Sequence, residues 1–193
     1  MGDAYALDDV PRTTTAGEKV QCHPEVLVLY RGDVVRLEPP SSVAEPFRER
    51  LQRFERAVSE IGVAVYGRAP SRIVHAGTYA CREVAHREQR LSEHALGNAI
   101  DVTGFRFGAL SKEATKTSVL PSKLRGPFLI TITKDWHADP GASDVARKHR
   151  EFFDRLAAVL REQQLFRGVL GPGDPNHQTH LHLDMAPWPH ERL

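Results

Sequence analysis

Two short stretches of alternating residues constrain the fold of this chain more than any other feature. In residues 99–103, Ile100 and Val102 alternate with Ala99 and Asp101, which is typical of a half-buried strand. The sequence His-Leu-His-Leu at residues 180–183 repeats the pattern. Because successive side chains of a strand point to opposite faces, each stretch is expected to place metal-binding residue types on one face above an apolar core.

A further histidine, His94, lies upstream of Asp101, and Gly97 separates the two. Zinc accepts both neutral imidazole and carboxylate ligands. Gly97 permits a turn before the strand, since glycine adopts conformations that strain a residue with a Cβ atom. Residues 92–101 are therefore interpreted as one half of a zinc site, and residues 177–182 as the other half. The alternative, for either stretch taken alone, is a set of surface residues that bind no metal.

The pattern Ser-x-His-x-x-Gly-x-Ala-x-Asp at 92–101, followed by a distal His-x-His, resembles the LAS-type zinc peptidases. These include D-Ala-D-Ala peptidases and penicillin-insensitive murein endopeptidases. The chain is more closely similar to the bacterial extensin-like C-terminal domain family, over roughly residues 40–187. The segments that carry this likeness are Gly-Thr-Tyr-Ala-Cys-Arg at 77–82, residues 91–105, Asp-Trp at 135–136, Val-Leu-Gly-Pro at 169–172 and His-x-x-His-x-His-x-Asp at 177–184.

The resemblance implies one zinc ion held by three ligands. They are His94, Asp101 and His182. A site with three protein ligands keeps one position open for water, as catalytic zinc sites do. In the same likeness, His180 takes the proton of that water or stabilises the oxyanion, and His177 does the same or holds substrate.

The resemblance also assigns a role to Arg82, which follows a predicted strand and would contact the substrate or the developing oxyanion. The alternative is an ordinary surface arginine. The D-Ala-D-Ala dipeptidases place a glutamate three residues before the last ligand, where this chain has Thr179. The chain departs there from the dipeptidase branch, which favours a histidine-based mechanism like that of the murein endopeptidases.

The implied function is hydrolysis of peptide crosslinks in bacterial peptidoglycan, by a D,D-endopeptidase or a carboxypeptidase-like enzyme. The resemblance implies a periplasmic or extracellular location. One alternative is a zinc-containing module that binds cell wall or protein without catalysis. A second alternative is a zinc amidase or esterase that acts on another small substrate.

Composition limits the remaining possibilities. With 193 residues and 40% hydrophobic residues, the chain is long enough for one domain with a substantial core. A net charge of +1 gives no reason to expect a nucleic-acid partner, and no apolar run is long enough for a transmembrane helix. Residues 1–20 lack the features of a signal peptide and are expected to be a flexible segment, followed by a single zinc peptidase-like domain at 21–193. The sequence leaves the oligomeric state open.

The periodicity predicts an α+β fold with an antiparallel sheet, helices on one sheet face and the zinc cleft on the other. Apolar residues at helical spacing predict a helix that starts at 39–42 and has an apolar stripe from Val43 to Ile61, and a second helix over 145–160. Two strands around the turn Arg-Gly-Asp at 31–33 are expected to form a hairpin. The other predicted strands are 72–80, 128–133 and 166–170.

Three further segments carry expectations. Cys22 and Cys81 are the only cysteines, and a disulfide between them is expected if the protein is exported. Two free thiols are the alternative, because the sequence does not give their separation. The charged residues 83–90 are expected to rim the cleft, and the polar residues 106–126 to form a loop bordering the substrate groove.

Overall fold

The strand around Asp101 lies inside a mixed sheet. The structure is a computed structural model and describes residues 4–22, 26–85 and 87–193. The strands are β1 (Leu27–Tyr30), β2 (Arg36–Glu38), β3 (Ser41–Ala44), β4 (Arg72–His75), β5 (Glu83–Val84), β6 (Arg87–Leu91), β7 (Ala99–Phe107), β8 (Phe128–Thr131), β9 (Gly168–Leu170), β10 (Leu181–Asp184) and β11 (His190–Arg192). The helices are α1 (Glu45–Tyr66), α2 (Lys112–Thr117), α3 (Ile132–Asp135) and α4 (Asp144–Glu162).

The main sheet has the strand order β11-β9-β10-β7-β4-β2, and β8 also pairs with β7. Most of these pairs are antiparallel, but β2 with β4 and β9 with β11 are parallel. The expected α+β class is confirmed, and the expectation of a purely antiparallel sheet is wrong. A parallel pair needs a crossover connection, and α1 supplies it between β2 and β4.

Long amphipathic helices form the other layer of the core. The apolar stripe of α1, which includes Phe47, Leu51, Phe54 and Val58, is fully buried, as its spacing predicts. Helix α4 packs against α1 and begins where Ser143 accepts a hydrogen bond from the backbone N–H of Ala146. Helix α1 begins later than predicted, because residues 41–44 form β3 instead.

A bulge in β7 keeps its apolar side chains on the core face along its whole length. The register with β4 shifts so that His75 pairs with Val102 while Val74 pairs with Gly104. One additional residue of β7 is accommodated there, which reverses the alternation along the strand. Residues Ile100, Val102, Phe105 and Phe107 are consequently all buried. Asp101 remains on the opposite face, where it is free to contribute to a site.

The predicted hairpin around Arg-Gly-Asp is wrong. Strand β1 pairs with β3 in a separate two-stranded sheet, whereas β2 joins the main sheet beside β4. The buried carboxylate of Glu55 explains this arrangement, because it accepts hydrogen bonds from the backbone N–H groups of 33–35 and from Tyr30. The turn is therefore fastened to α1 rather than closed between two paired strands. The first of these two strands was predicted to begin at residue 25, and that residue lies outside the described part of the chain.

Residues 106–126 do not border the cleft. They contain the end of β7, helix α2 and a short 3₁₀ turn at Ser122–Leu124, and Arg68 holds them by donating to the carbonyl oxygens of Gly108, Leu124 and Gly126. Strand β7 runs from Ala99 at the cleft to Phe107, so the chain that follows emerges at the far end of the sheet. The expectation of a groove-bordering loop is therefore wrong.

Residues 5–14 pack on the domain, whereas a flexible segment was expected for residues 1–20. Tyr5 and Leu7 are buried in the main core. Arg12 forms a buried ion pair with Glu93, at 2.7 Å between Nε and Oε1. Asp8 pairs with Arg167. Apolar and charged anchors together stabilise a segment whose composition alone gives no such indication.

Cys22 and Cys81 form a disulfide, with their Cα atoms 5.6 Å apart. The paired state expected for an exported protein is thus the one observed. No helix in the described part of the chain has both the length and the apolar character needed to cross a membrane.

Candidate metal centre

Three side chains from distant parts of the sequence converge on one point of the sheet face. The His94 Nε2 atom lies 3.2 Å from Asp101 Oδ1 and 3.1 Å from His182 Nδ1. His182 Nδ1 lies 2.9 Å from the same Asp101 oxygen. His182 stands directly opposite Asp101 in the antiparallel pairing of β10 with β7. The predicted set of His94, Asp101 and His182 is therefore brought together by the fold.

A tight turn delivers His94 to this point. Residues Glu93–Leu96 form a 3₁₀ turn capped by the Ser92 hydroxyl, and Gly97 ends it with φ of 64°. A Cβ on Gly97 would lie 2.5 Å from Leu27 Cδ2 and 2.8 Å from Ala44 N, so only glycine fits. His94 is almost completely buried, and its Nδ1–H donates to the carbonyl oxygen of Thr78 at 3.0 Å. This hydrogen bond orients the ring so that His94 Nε2 faces Asp101.

Asp184 orients the second imidazole. Its Oδ2 lies 2.9 Å from His182 Nε2, so the imidazole N–H at that atom donates to the carboxylate and Nδ1 faces Asp101. Asp184 Oδ1 accepts the backbone N–H of Ala186 at 2.8 Å, which fixes the carboxylate. Gly168 on β9 stands opposite Asp184, and a Cβ on Gly168 would overlap the Asp184 carboxylate. The same Oδ2 atom of Asp184 also lies 3.4 Å from His190 Nε2.

The electrostatics of these groups are strongly coupled. Burial would raise the pKa of Asp101, but hydrogen bonds with His182 and His94 hold it well below its usual range. Burial would lower the pKa of His182, but the hydrogen bonds to Asp101 and Asp184 raise it to about 9. The pKa of Asp184 is also held low, since hydrogen bonds from His182 and His190 outweigh its burial. The carboxylates thus create a negative potential at the centre of the cluster.

Two other predicted histidines lie beside the cluster. His180 Nε2 is 3.7 Å from Asp101 Oδ1, and burial lowers the pKa of His180. The ring of His177 lies 5.0 Å from that of His180 and 5.6 Å from that of His182. His177 Nδ1–H donates to Asp174 Oδ1 at 2.7 Å, which fixes the ring at the end of the 171–176 turn.

The cluster opens into a cleft of about 690 Å³. The β5–β6 hairpin, as expected for residues 83–90, forms one rim of this cleft. Arg82, immediately before β5, lines it as well and has an exposed side chain. The structure therefore places every predicted site residue, namely His94, Asp101, His182, His180, His177 and Arg82, in or around one cleft.

The donor set fits a zinc ion. Zinc–ligand distances of ~2.1 Å in a tetrahedral site separate the ligand atoms by ~3.4 Å, close to the distances between the three atoms here. His94 and His182 each direct toward the others the nitrogen that makes no hydrogen bond to a supporting group. Two imidazole nitrogens and one carboxylate oxygen thus face one another, and a cation bound between them would stabilise this arrangement.

Sequence reasoning assigned no role to Asp184, His190 or the carbonyl of Thr78. The signal for Asp184 was present, because His182 and Asp184 are two residues apart and share one strand face. A carboxylate at that spacing from a ligand histidine is a candidate for its supporting partner. The positions of Thr78 and His190 depend on tertiary packing and have no comparable local signal.

A comparison with known protein families shows which family the chain belongs to. The family described as Extensin-like protein C-terminus matches residues 6–192. The chain belongs to this family. The extensin-like match begins well before residue 40, where the sequence likeness was expected to start, so it includes the packed N-terminal segment and Cys22. No curated protein and no solved structure matches the chain.

Proposed function

We propose that this extensin-like domain is a zinc-dependent hydrolase that cleaves peptide crosslinks of bacterial peptidoglycan. One observation carries the proposal: His94, Asp101 and His182 converge at the base of an open cleft, with the imidazole of His180 beside them. A structural metal site is normally closed by four protein ligands, whereas a catalytic site has three and an open position.

Each residue of the cluster has a distinct task in this proposal. His94, Asp101 and His182 would hold the ion, and Asp184 would keep His182 in the tautomer that presents Nδ1. When bound, zinc would lower the pKa of its water to ~7 and so supply a nucleophile at neutral pH. This is the chemistry that peptide hydrolysis requires.

His180 is the candidate general base. Its Nε2 faces the cluster at 3.7 Å from Asp101 Oδ1, and its Nδ1 lies 3.3 Å from Thr179 Oγ1. A positioned imidazole of this kind accepts a proton and returns it to the leaving amine. His177, held by Asp174, would bind the substrate or stabilise negative charge from the other side of His180. Arg82 at the rim would contact the substrate.

The substrate class is supported by the likeness of residues 92–101 and 177–182 to the LAS-type zinc peptidases. A periplasmic or extracellular location is part of the same proposal. The Cys22–Cys81 disulfide is consistent with it, because disulfides persist mainly in oxidising compartments.

The test is digestion of purified peptidoglycan by zinc-loaded protein, followed by identification of the new end groups. New amine and carboxyl termini within the peptide crosslinks are expected. Replacing His180 by Ala should lower kcat by about 10²–10⁴-fold while zinc remains bound. His137→Ala is the matched control, since His137 is exposed and does not line the cleft.

Three outcomes would contradict the proposal. Release of the glycan from the peptide would indicate an amidase. A parent protein that binds zinc but cleaves no muropeptide dimer would be a binding module. Loss of zinc from His180→Ala, together with its retention by His182→Ala, would reverse the roles assigned to the two histidines.

A further inference from the structure

The β5–β6 hairpin gives one wall of the cleft a concentration of positive charge. Arg82, Arg87 and Arg90 all line the same cavity as the metal cluster. Arg82 directly precedes β5, whereas Arg87 and Arg90 lie on β6. Nothing in the zinc chemistry proposed above requires the two arginines of β6, so their position calls for a separate explanation.

The acidic residues around the cleft already have partners within the protein. Their pairs are Asp174 with His177 and Arg192, Asp184 with His182 and His190, Glu93 with Arg12, and Glu191 with Arg161. Among the residues that the structure describes, no carboxylate forms an ion pair with Arg82, Arg87 or Arg90. The positive charge of this wall is therefore available to a ligand.

The wall is also held in a defined position. The Arg90 guanidinium stacks on the ring of Trp188, with its Cζ 4.1 Å from the ring centroid. On the outer side of β6, Thr13 forms a β-bridge with Arg90, and the backbone N–H of Leu91 donates to the carbonyl oxygen of Arg12. Arg90 is thus fixed on both sides before any ligand binds, which reduces the entropy lost on binding.

An arginine guanidinium binds a carboxylate through two parallel hydrogen bonds, which gives both affinity and orientation. Resting on the proposed hydrolase function, we propose that Arg87 and Arg90 bind free carboxylates of the peptide substrate. The preferred substrate is then an anionic stem peptide, and a peptide whose side carboxylates are amidated binds more weakly. Trp188 serves as a positioning residue that holds Arg90 in the wall.

The test compares two synthetic stem tetrapeptides that share the same free C-terminus. One has free side carboxylates and the other has them amidated. Calorimetry with the zinc-loaded protein at low ionic strength should give a Kd about tenfold lower for the acidic peptide, as expected for charge-assisted hydrogen bonds. This preference should weaken as salt is added, since rim charges are screened.

Arg87→Gln with Arg90→Gln should bring the two Kd values close together without changing the Kd of the amidated peptide. Arg87→Gln alone removes only an exposed side chain, so it keeps the fold and should lose part of the preference. Arg56→Gln is the matched control, because Arg56 is an exposed arginine of α1 outside the cleft, and it should keep the full preference.

Equal Kd values for the two peptides in the parent protein would overturn the inference. A preference that survives in the double variant would overturn it as well, since the carboxylates would then be bound elsewhere. Neither measurement depends on turnover. Failure of the hydrolase proposal would be recognised separately, as absence of crosslink cleavage by the same zinc-loaded protein.

Discussion

His94 and His182 meet at the candidate metal centre, but different parts of the chain hold them there. The turn that carries His94 is supported from behind by the N-terminal segment. Arg12 pairs with Glu93, and the Tyr5 hydroxyl donates to Asn98 Oδ1 at 2.7 Å. Asn98 in turn donates to Glu93 Oε2 at 2.6 Å. Both ends of this turn therefore depend on residues more than 80 positions away.

The support of His182 is local by comparison. Strand β10 lies between β7 and β9, so its backbone is fixed by the sheet. Asp184, two residues along the same strand face, orients the ring. The comparison shows that one half of the centre depends on the stability of a long-range anchor. The other half depends on a single carboxylate within the same strand.

The largest effect is expected from removing a ligand in either half. His94→Ala and His182→Ala should each weaken zinc binding by more than the 10–100-fold typical of a lost supporting residue. Zinc content measured after purification without added metal checks this, with His137→Ala as control. Stoichiometric zinc of undiminished affinity in either variant would exclude that histidine as a ligand.

Arg12→Ala tests the long-range anchor of the His94 half. It leaves the buried Glu93 carboxylate without its cation, so the free energy of unfolding should fall by about 3–5 kcal/mol. Urea denaturation measures the change. Arg147→Ala breaks an exposed pair on α4 and should cost no more than about 1 kcal/mol.

The combination of Arg12→Met with Glu93→Gln should recover part of the stability lost in Arg12→Ala, because the unpaired buried charge is removed. An Arg12→Ala protein as stable as the parent would show that the Arg12–Glu93 ion pair contributes nothing to this half of the centre.

The Cys22–Cys81 disulfide offers a second test of the same half. Cys81 lies next to Ala80, whose N–H donates to the carbonyl oxygen of His94. The cysteines are separated by 59 positions in the sequence, so replacing both by Ser should lower the free energy of unfolding by about 4 kcal/mol in the chain-entropy model. Thermal unfolding of the oxidised parent, the reduced parent and the double variant measures it. The reduced parent should match the variant, and equal stability of all three would refute the prediction.

Asp184→Asn is expected to have the smallest effect and to leave stability largely intact. The side chain keeps its size beside Gly168, so the fold is preserved, but the negative charge that orients His182 is lost. Zinc affinity should fall by about 10–100-fold, or roughly 1.4–2.8 kcal/mol. Competition with a chromogenic chelator measures it. Asp174→Asn is the control, because Asp174 holds His177, which is not a proposed ligand, and its zinc affinity should equal that of the parent.

Local spacing in the sequence predicted features of both halves of the site. Alternation around Asp101 and His182 correctly placed both side chains on one face, above buried Ile100, Val102 and Leu181. The Gly97 turn and the stripes of α1 and α4 were likewise predicted from local spacing. These predictions are correct because local backbone geometry fixes the face on which a side chain lies, independently of the distant parts of the chain.

Pairing partners were predicted poorly. The sequence around Arg-Gly-Asp is compatible with a hairpin, and only the buried Glu55 of α1 diverts the turn into a different arrangement. The parallel position of β2 beside β4 likewise follows from the crossover through α1. Alternation identifies a strand and its two faces, but it contains no information on which neighbour the backbone groups will bond.

The sequence by itself thus determined the two long helices, the strands around Asp101 and His182, the face on which these two side chains lie, and the residue types suited to zinc. Tertiary structure alone decided that His182 stands opposite Asp101, that Arg12 supports the His94 turn and that Cys22 reaches Cys81. The physical reason is the range of the interactions. Backbone periodicity acts over a few residues, whereas ion pairs, strand register and disulfides join positions that become neighbours only when the whole core packs.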